Sequence, residues 1–73
     1  MKTEANINFG KRITSFRKLK GLSQEQLALE CGFDRTYIGT IERGEKSATI
    51  NSIAKLAKGL NVSLKELFDY ETG

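Results

Sequence analysis

The chain has 73 residues, a net charge of +3, one cysteine and no histidine or proline. This length is near the lower limit for one independent domain, expected here over residues 1–73 with loose ends at about 1–5 and 70–73. A lone cysteine excludes an internal disulfide, and without histidine a structural zinc site is not expected. We expect neither a signal peptide nor a membrane span, because the first ten residues contain no long apolar run. A free thiol in a soluble chain fits the cytoplasm.

The first predicted element is a helix that begins at Asn6 or Asn8 and ends near Lys20, before Gly21. Residues of this helix that should face the core lie at helical spacing: Phe9, Ile13, Phe16 and Leu19. Residues 11–20 also contain five basic residues and no acidic one. Such a block is either a solvated helix face or, beside a DNA-binding element, a surface that faces phosphate.

Residues 23–44 predict two short helices joined by a tight turn. Ser23 followed by Gln26 is a capping-box pattern, so the first of these helices should span residues 24–31. Gly32 follows where the chain must turn sharply, because glycine adopts a left-handed backbone without a Cβ clash. The apolar residues of both helices fall on one side: Leu27, Ala28, Cys31, Tyr37, Ile38 and Ile41.

The second helix of this stretch should span residues 35–43, with Asp34 as its cap and Gly44 at its end. Its other face carries hydrogen-bond donors and a methyl group, on Arg35, Thr36, Gly39, Thr40 and Arg43. This face suits the major groove of DNA, where arginine donates to guanine and threonine contacts the methyl group of thymine. The first residues of such a helix are the ones that reach base edges, although a solvent-exposed pair at Arg35 and Thr36 is the alternative.

The fourth helix should span residues 50–58, with Thr49 as its cap and Gly59 as its stop. Its apolar surface is broader than one core-facing stripe and consists of Ile50, Ile53, Ala54, Leu56 and Ala57. Ser63 and Glu66 form another capping-box pattern, which opens a short fifth helix. The prediction is therefore an all-α bundle of five helices.

The stretch from Gln24 resembles the helix-turn-helix of lambda-repressor-like regulators, with glutamine at the start, Ala28 four residues later, Gly32 at the turn and Ile38 and Ile41 behind. The resemblance continues through IERGEK and ATINSIAKLAKGLNVSLKELF, and the segment DRTYIGTIERG is most similar to the small controller proteins of restriction–modification systems. It implies a compact five-helix lambda-repressor-like domain that binds DNA and regulates transcription.

The start of the second helix favours a phosphate through its free N–H groups and its dipole, but Gln24 is equally explained as a surface residue. From their positions on the recognition helix we expect base contacts by Arg35, Thr36 and Thr40, with a backbone oxygen as the alternative partner of Thr40. Contacts to the DNA backbone are expected from Arg17, Ser23, Gln24, Tyr37, Arg43, Lys46 and Ser47. The resemblance implies those of Arg17, Gln24, Arg43, Lys46 and Ser47, and packing of the Tyr37 ring is the alternative to its phosphate contact. In similar repressors an arginine of the first helix pairs with a glutamate of the recognition helix, so an ion pair between Arg17 and Glu42 is implied.

One short helix in a groove contacts few base pairs, so a homodimer on an inverted repeat is expected, possibly with two dimers on adjacent sites. The predicted interface uses surplus apolar residues, namely Leu60, Val62, Leu64, Leu67 and Phe68, unless they only close the core. If the chain is a controller protein, it regulates its own gene and an endonuclease gene by blocking or recruiting RNA polymerase.

Two other functions remain open on the sequence alone. A protein-interaction module, antitoxin-like or antirepressor-like, would not need the face at Arg35 and Thr36, and non-specific nucleic-acid binding would be indifferent to sequence and weakened by salt. An enzyme is not expected, because Cys31 lies on the apolar face without a histidine to activate it. Neither a phosphate-binding glycine loop nor a pair of catalytic carboxylates is found, and no cofactor or metal is predicted.

Overall fold

The computed structural model describes residues 2–69. Within this range the chain forms α-helices and no β-strand, which confirms the all-α prediction. The five helices are α1 (Glu4–Leu19), α2 (Gln24–Cys31), α3 (Arg35–Glu42), α4 (Ile50–Leu60) and α5 (Leu64–Leu67). The tail predicted over residues 70–73 lies outside the described residues.

The first helix begins earlier than predicted. Thr3 is its cap, because the threonine hydroxyl accepts a hydrogen bond from the Asn6 N–H at 3.1 Å. The prediction of Asn6 or Asn8 as the cap is therefore wrong, and the helix already includes Glu4 and Ala5. Glu4 stabilises the earlier start, since its carboxylate lies in the first turn at the positive end of the helix dipole.

The turn between α2 and α3 is formed largely as predicted. The Ser23 hydroxyl accepts from the Gln26 N–H at 3.1 Å, and the Ser23 N–H donates to Gln26 Oε1 at 2.8 Å. Gly32 then adopts the left-handed conformation, with φ of 75°. Asp34 is the N-cap residue of α3 as predicted, but its side chain makes no capping hydrogen bond.

The end of α4 differs from the prediction. The helix continues through Gly59 to Leu60, and Asn61 adopts the left-handed backbone that ends it, with φ of 57°. A Cβ atom at Gly59 would collide with the Cys31 sulfur on α2. The glycine therefore permits the close approach of α2 and α4 instead of ending the helix.

The remaining caps match the predictions. The Thr49 hydroxyl accepts from the Ser52 N–H at 3.1 Å at the start of α4. The Ser63 hydroxyl accepts from the Glu66 N–H at 3.1 Å, while the Ser63 N–H donates to Glu66 Oε1 at 2.9 Å. Hydrogen bonding to Ser63 also holds the pKa of the Glu66 carboxyl below its usual value.

All five helices contribute to one hydrophobic core. α3 packs against α1 and α2, α4 packs against α2 and α1, and α5 packs against α1 and α4. The buried side chains are Phe9, Ile13, Leu27, Ala28, Cys31, Ile38, Ile41, Leu56, Ala57, Leu60 and Leu67. The helix-turn-helix formed by α2 and α3 is thus supported from behind by α1 and α4.

Several apolar side chains remain at the surface. Leu19 was predicted to face the core but is 77% exposed in the last turn of α1, and Leu22 in the following connection packs against the core in its place. Ile50 is 85% exposed at the start of α4.

Among residues 2–69, no helix combines the length and apolar character needed to cross a bilayer.

Candidate nucleic-acid interface

An open cleft of about 250 Å³ lies on the surface of the helix-turn-helix. It is lined by Gln24, Arg35, Thr36, Gly39 and Arg43. Arg35 and Thr36 occupy the first turn of α3, and both are exposed. Since base edges are reached mainly from the start of a recognition helix, these two side chains have the placement that base contact requires.

Two other positions on this face, Gly39 and Thr40, are less accessible than Arg35 and Thr36. Gly39 was predicted to be exposed, but it is buried beneath its neighbours. A Cβ atom at Gly39 would lie 3.0 Å from Arg43 Nη1 and 3.8 Å from Gln24 Oε1. Thr40 is half-buried, and its hydroxyl donates to the Tyr37 carbonyl at 2.8 Å. The donor of the Thr40 hydroxyl is therefore used within the protein, and its oxygen retains acceptor capacity.

Arg17 and Glu42 form a nearly buried ion pair between α1 and α3. Arg17 Nε donates to Glu42 Oε2 at 2.6 Å, and Nη2 donates to Oε1 at 3.2 Å. Arg17 Nη1 also donates to the Leu22 carbonyl at 2.8 Å. The arginine and glutamate side chains are 13% and 6% exposed. Three of the five guanidinium donors are therefore used inside the protein, and only the remainder can serve a phosphate.

The same carboxylate holds the first side chain of α2. Gln24 Nε2 donates one N–H to Glu42 Oε1 at 3.1 Å. The second N–H of the amide is not used in this hydrogen bond. Glu42 thereby connects α1, α2 and α3 through a single side chain. Ser23, immediately before Gln24, is exposed at the N-terminus of α2, where an anion is favoured by the free N–H groups.

Two cations that were predicted to contact the DNA backbone, Arg43 and Lys46, follow α3. Arg43 Nε lies 3.0 Å from Glu45 Oε1, and these side chains are 55% and 40% exposed. Lys46 Nζ lies 5.5 Å from the centroid of the half-buried Tyr37 ring. Arg43 thus lines the cleft and is paired with an acidic side chain, whereas Lys46 lies over the Tyr37 ring.

The start of α1 holds this loop in place, which the sequence did not indicate. Asn6 Nδ2 donates to the Ser47 hydroxyl at 2.9 Å, and that hydroxyl lies 3.2 Å from Asn6 Oδ1. Gly44 has φ of 75°, and a Cβ atom there would lie 2.8 Å from the Ile7 Cα. Nothing in the sequence around Asn6 indicates a hydrogen bond to a residue 41 positions away.

The basic block of residues 11–20 divides into two groups. Its lysines are exposed, but Arg12 turns inward, where Nε and Nη2 donate to the Glu66 carbonyl at 3.0 and 2.8 Å. The Arg12 guanidinium also lies 4.6 Å from the centroid of the Phe16 ring. With Arg17 paired to Glu42, the exposed positive charge of this block comes mainly from the lysines.

The described residues show neither an activated thiol nor a metal site. Cys31 is buried, and that burial, reinforced by the Glu30 carboxylate, raises the pKa of its thiol to about 11. The thiol is therefore protonated near neutral pH, whereas a nucleophilic cysteine acts as the thiolate. Between residues 2 and 69, no cluster of three or more histidine, cysteine, aspartate or glutamate side chains is placed to hold a metal ion.

The residues predicted for a dimer interface fall into two groups. Leu60 and Leu67 are 1% and 0% exposed, so they belong to the monomer core and offer no surface to a second copy. Leu64 and Phe68 are half-exposed, and Val62 is partly buried against the core. The Phe68 ring also stacks on Phe9, with 5.5 Å between centroids.

These features define a helix-turn-helix DNA-binding domain. Residues 13–67 match the Helix-turn-helix family model, and the chain belongs to this family. The fold and the family identify it as a DNA-binding transcription regulator, not an enzyme.

Similar proteins include controllers of restriction–modification systems. Control protein C.BamHI of Bacillus amyloliquefaciens is 40% identical over 73 residues, covering 99% of this chain and 90% of that protein. Control protein C.SmaI of Serratia marcescens is 47% identical over 55 residues, covering 75% of this chain and 66% of that protein. The crystal structure of the restriction–modification controller protein C.AhdI from Aeromonas hydrophila matches with a TM-score of 0.88 and 42% identity, covering 90% of this chain and all of that one.

Proposed function

We propose that this protein binds an inverted-repeat operator as a homodimer and thereby controls restriction–modification genes, including its own. The choice of genes is supported by the similarity to control proteins, which extends over nearly the whole chain. The observation that carries the proposal is the exposure of Arg35 and Thr36 in the first turn of α3, at the mouth of the cleft.

In this proposal α3 enters the major groove. Arg35 donates to a guanine through two N–H groups, while Thr36 and Thr40 contact neighbouring bases. The backbone contacts come from Arg17, Ser23, Gln24, Tyr37, Arg43, Lys46 and Ser47. They fix the position of α3 but do not themselves read sequence. Arg17 and Gln24 have a double role, because each also binds Glu42.

Dimerisation is proposed through α4 and α5. The exposed side chains of Leu64 and Phe68 lie on α5 and just after it, and Phe68 borders an apolar groove of about 150 Å³. Ala48 and Ile53 also line this groove, and the exposed Ile50 lies one turn before Ile53 on α4. Two copies joined there would present two α3 helices to half-sites about 34 Å apart, or a multiple of that distance.

The regulatory action is proposed from the resemblance to controllers. A dimer near a promoter blocks or recruits RNA polymerase according to the position of its site, and a second dimer on an adjacent site reverses the effect at high concentration. Because chromosomal or plasmid DNA is the partner, the proposed place of action is the cytoplasm.

Arg35→Ala tests the base contact. Selection from random DNA with the wild-type protein supplies the operator, and binding is then measured to that duplex and to its single-base variants. The substitution should cost about 1–3 kcal/mol and relax the preference at one base pair in each half-site. Lys58→Ala, on the exposed surface of α4, is the charge-matched control. Unchanged affinity and preference in Arg35→Ala would favour a protein-interaction module instead.

The interface is tested by sedimentation without DNA. Ile50→Ser and Leu64→Ser should weaken self-association while leaving the monomer folded, because both side chains are at least half-exposed. Leu29→Ser removes a side chain that is 77% exposed on α2 and should leave association unchanged. A wild-type protein that remains monomeric at high micromolar concentration would contradict the homodimer.

A further inference from the structure

Arg43 is held at the edge of the DNA-facing cleft by an acidic side chain two residues later. Arg43 Nε lies 3.0 Å from Glu45 Oε1. At its other end the guanidinium lies across α3, with Nη1 3.0 Å from the place that a Cβ atom on Gly39 would occupy. The absence of a side chain at Gly39 therefore lets Arg43 fold back over the helix that reads the groove.

Glu45 and a DNA phosphate compete for the same cation. Both are oxygen anions that accept hydrogen bonds from guanidinium N–H groups, and both would approach Arg43 at the rim of the cleft. The Arg43 and Glu45 side chains are 55% and 40% exposed, so the pair is solvated and can be broken at small cost.

We propose that Glu45 is an internal competitor of DNA for Arg43, which lowers the affinity for operator DNA. This inference rests on the proposed binding of DNA by the α3 face. In the free protein Glu45 neutralises Arg43 and holds it over Gly39. On binding, a phosphate replaces Glu45 as the partner of Arg43.

The size of the effect follows from the exposure of the pair. Removing an exposed ion-pair partner changes an equilibrium by a small factor, so Glu45→Gln should tighten binding about two- to fivefold at low salt. At high salt the two proteins should converge.

A double-mutant cycle separates this competition from simple repulsion between Glu45 and DNA. The affinity of wild type, Glu45→Gln, Arg43→Gln and the double variant is measured by fluorescence anisotropy on the duplex recovered by selection, and on a scrambled duplex of equal length. If Glu45 acts through Arg43, its removal should tighten binding in the wild-type background and have little effect in Arg43→Gln. Repulsion alone would give the same tightening in both backgrounds.

Glu30→Gln on α2 is the control for net charge, because Glu30 is exposed and its substitution changes the net charge by the same amount as Glu45→Gln. Equal effects of Glu45→Gln in the two Arg43 backgrounds would overturn the proposal, as would an effect no larger than that of Glu30→Gln. Weaker binding by Glu45→Gln would also overturn it, because Glu45 would then assist Arg43. A selection that enriches no sequence would instead contradict the proposed operator binding, and the cycle on the scrambled duplex would still decide the role of Glu45.

Discussion

Glu42→Ala should destabilise this protein more than any change of a surface charge. The Glu42 carboxylate is 6% exposed and accepts two hydrogen bonds from Arg17 and one from Gln24. Alanine at this position would leave the Arg17 guanidinium without its counter-charge in a site that is only 13% exposed. The penalty comes from that orphaned cation more than from the lost attraction.

The loss of stability expected for Glu42→Ala can be estimated from this burial. Breaking a buried ion pair by removing one partner costs about 3–5 kcal/mol, and the partial exposure of Arg17 favours the lower end. A domain of this length has a total stability of about 4–11 kcal/mol. A loss near the lower value would therefore reduce the melting temperature by about 12 °C or more. Affinity for operator DNA should fall as well, since Gln24 would lose the bond that orients it.

Urea unfolding followed by circular dichroism measures this loss of stability. Two further variants show whether the loss comes from the buried ion pair. Glu45→Ala breaks the exposed pair with Arg43 and should cost less than about 1 kcal/mol. Arg17→Met combined with Glu42→Leu replaces both charges by apolar groups and should restore most of the stability but not the DNA affinity. Glu42→Ala with a stability within about 0.5 kcal/mol of wild type would refute the reasoning.

Two further predictions concern close contacts in the core. Gly10→Ala should lower stability by about 1 kcal/mol or more although alanine favours helices, because a Cβ atom there would lie 2.6 Å from the Glu42 carbonyl oxygen. Urea unfolding of this variant is compared with that of Ser15→Ala, a control at an exposed position of the same helix. A Gly10→Ala variant more stable than wild type would contradict the prediction. Burial raises the pKa of the Cys31 thiol from 9.0 to about 11, so stability should decline between these pH values as the unfolded chain loses the proton first. Cys31→Ala should unfold with a smaller decline over that pH range, and an identical decline would contradict the assignment.

The parts of the fold that could be predicted from sequence are those that depend on residues close together in the chain. Both capping boxes join residues three positions apart, and Gly32 meets a local demand for a left-handed backbone. Gly59 has the same sequence signal as Gly32 but a different role, because it faces Cys31 on another helix. A distant contact of that kind leaves no trace in the local pattern.

The candidate site shows the same division. The exposure of Arg35 and Thr36 follows from their place at the start of an amphipathic helix, whereas the bond between Asn6 and Ser47 depends on how α1 meets the loop after α3. Thr40 matched the recognition face by spacing, yet its hydroxyl is used by the Tyr37 carbonyl. Spacing identifies which face a residue lies on but not which of its atoms are already bonded.

The chemistry of arginine and lysine explains how the basic block of α1 divides. Arg12 and Arg17 each direct several N–H groups at acceptors of the protein, which a planar guanidinium can satisfy together. A lysine ammonium is more strongly hydrated and loses more when it leaves water, so Lys11 and Lys18 remain exposed on the same helix. Arg12→Lys should therefore not preserve the contact with α5, even though it preserves the charge. The charge of such a block indicates an affinity for phosphate, but the identity of each cation decides whether that residue serves the fold or the DNA.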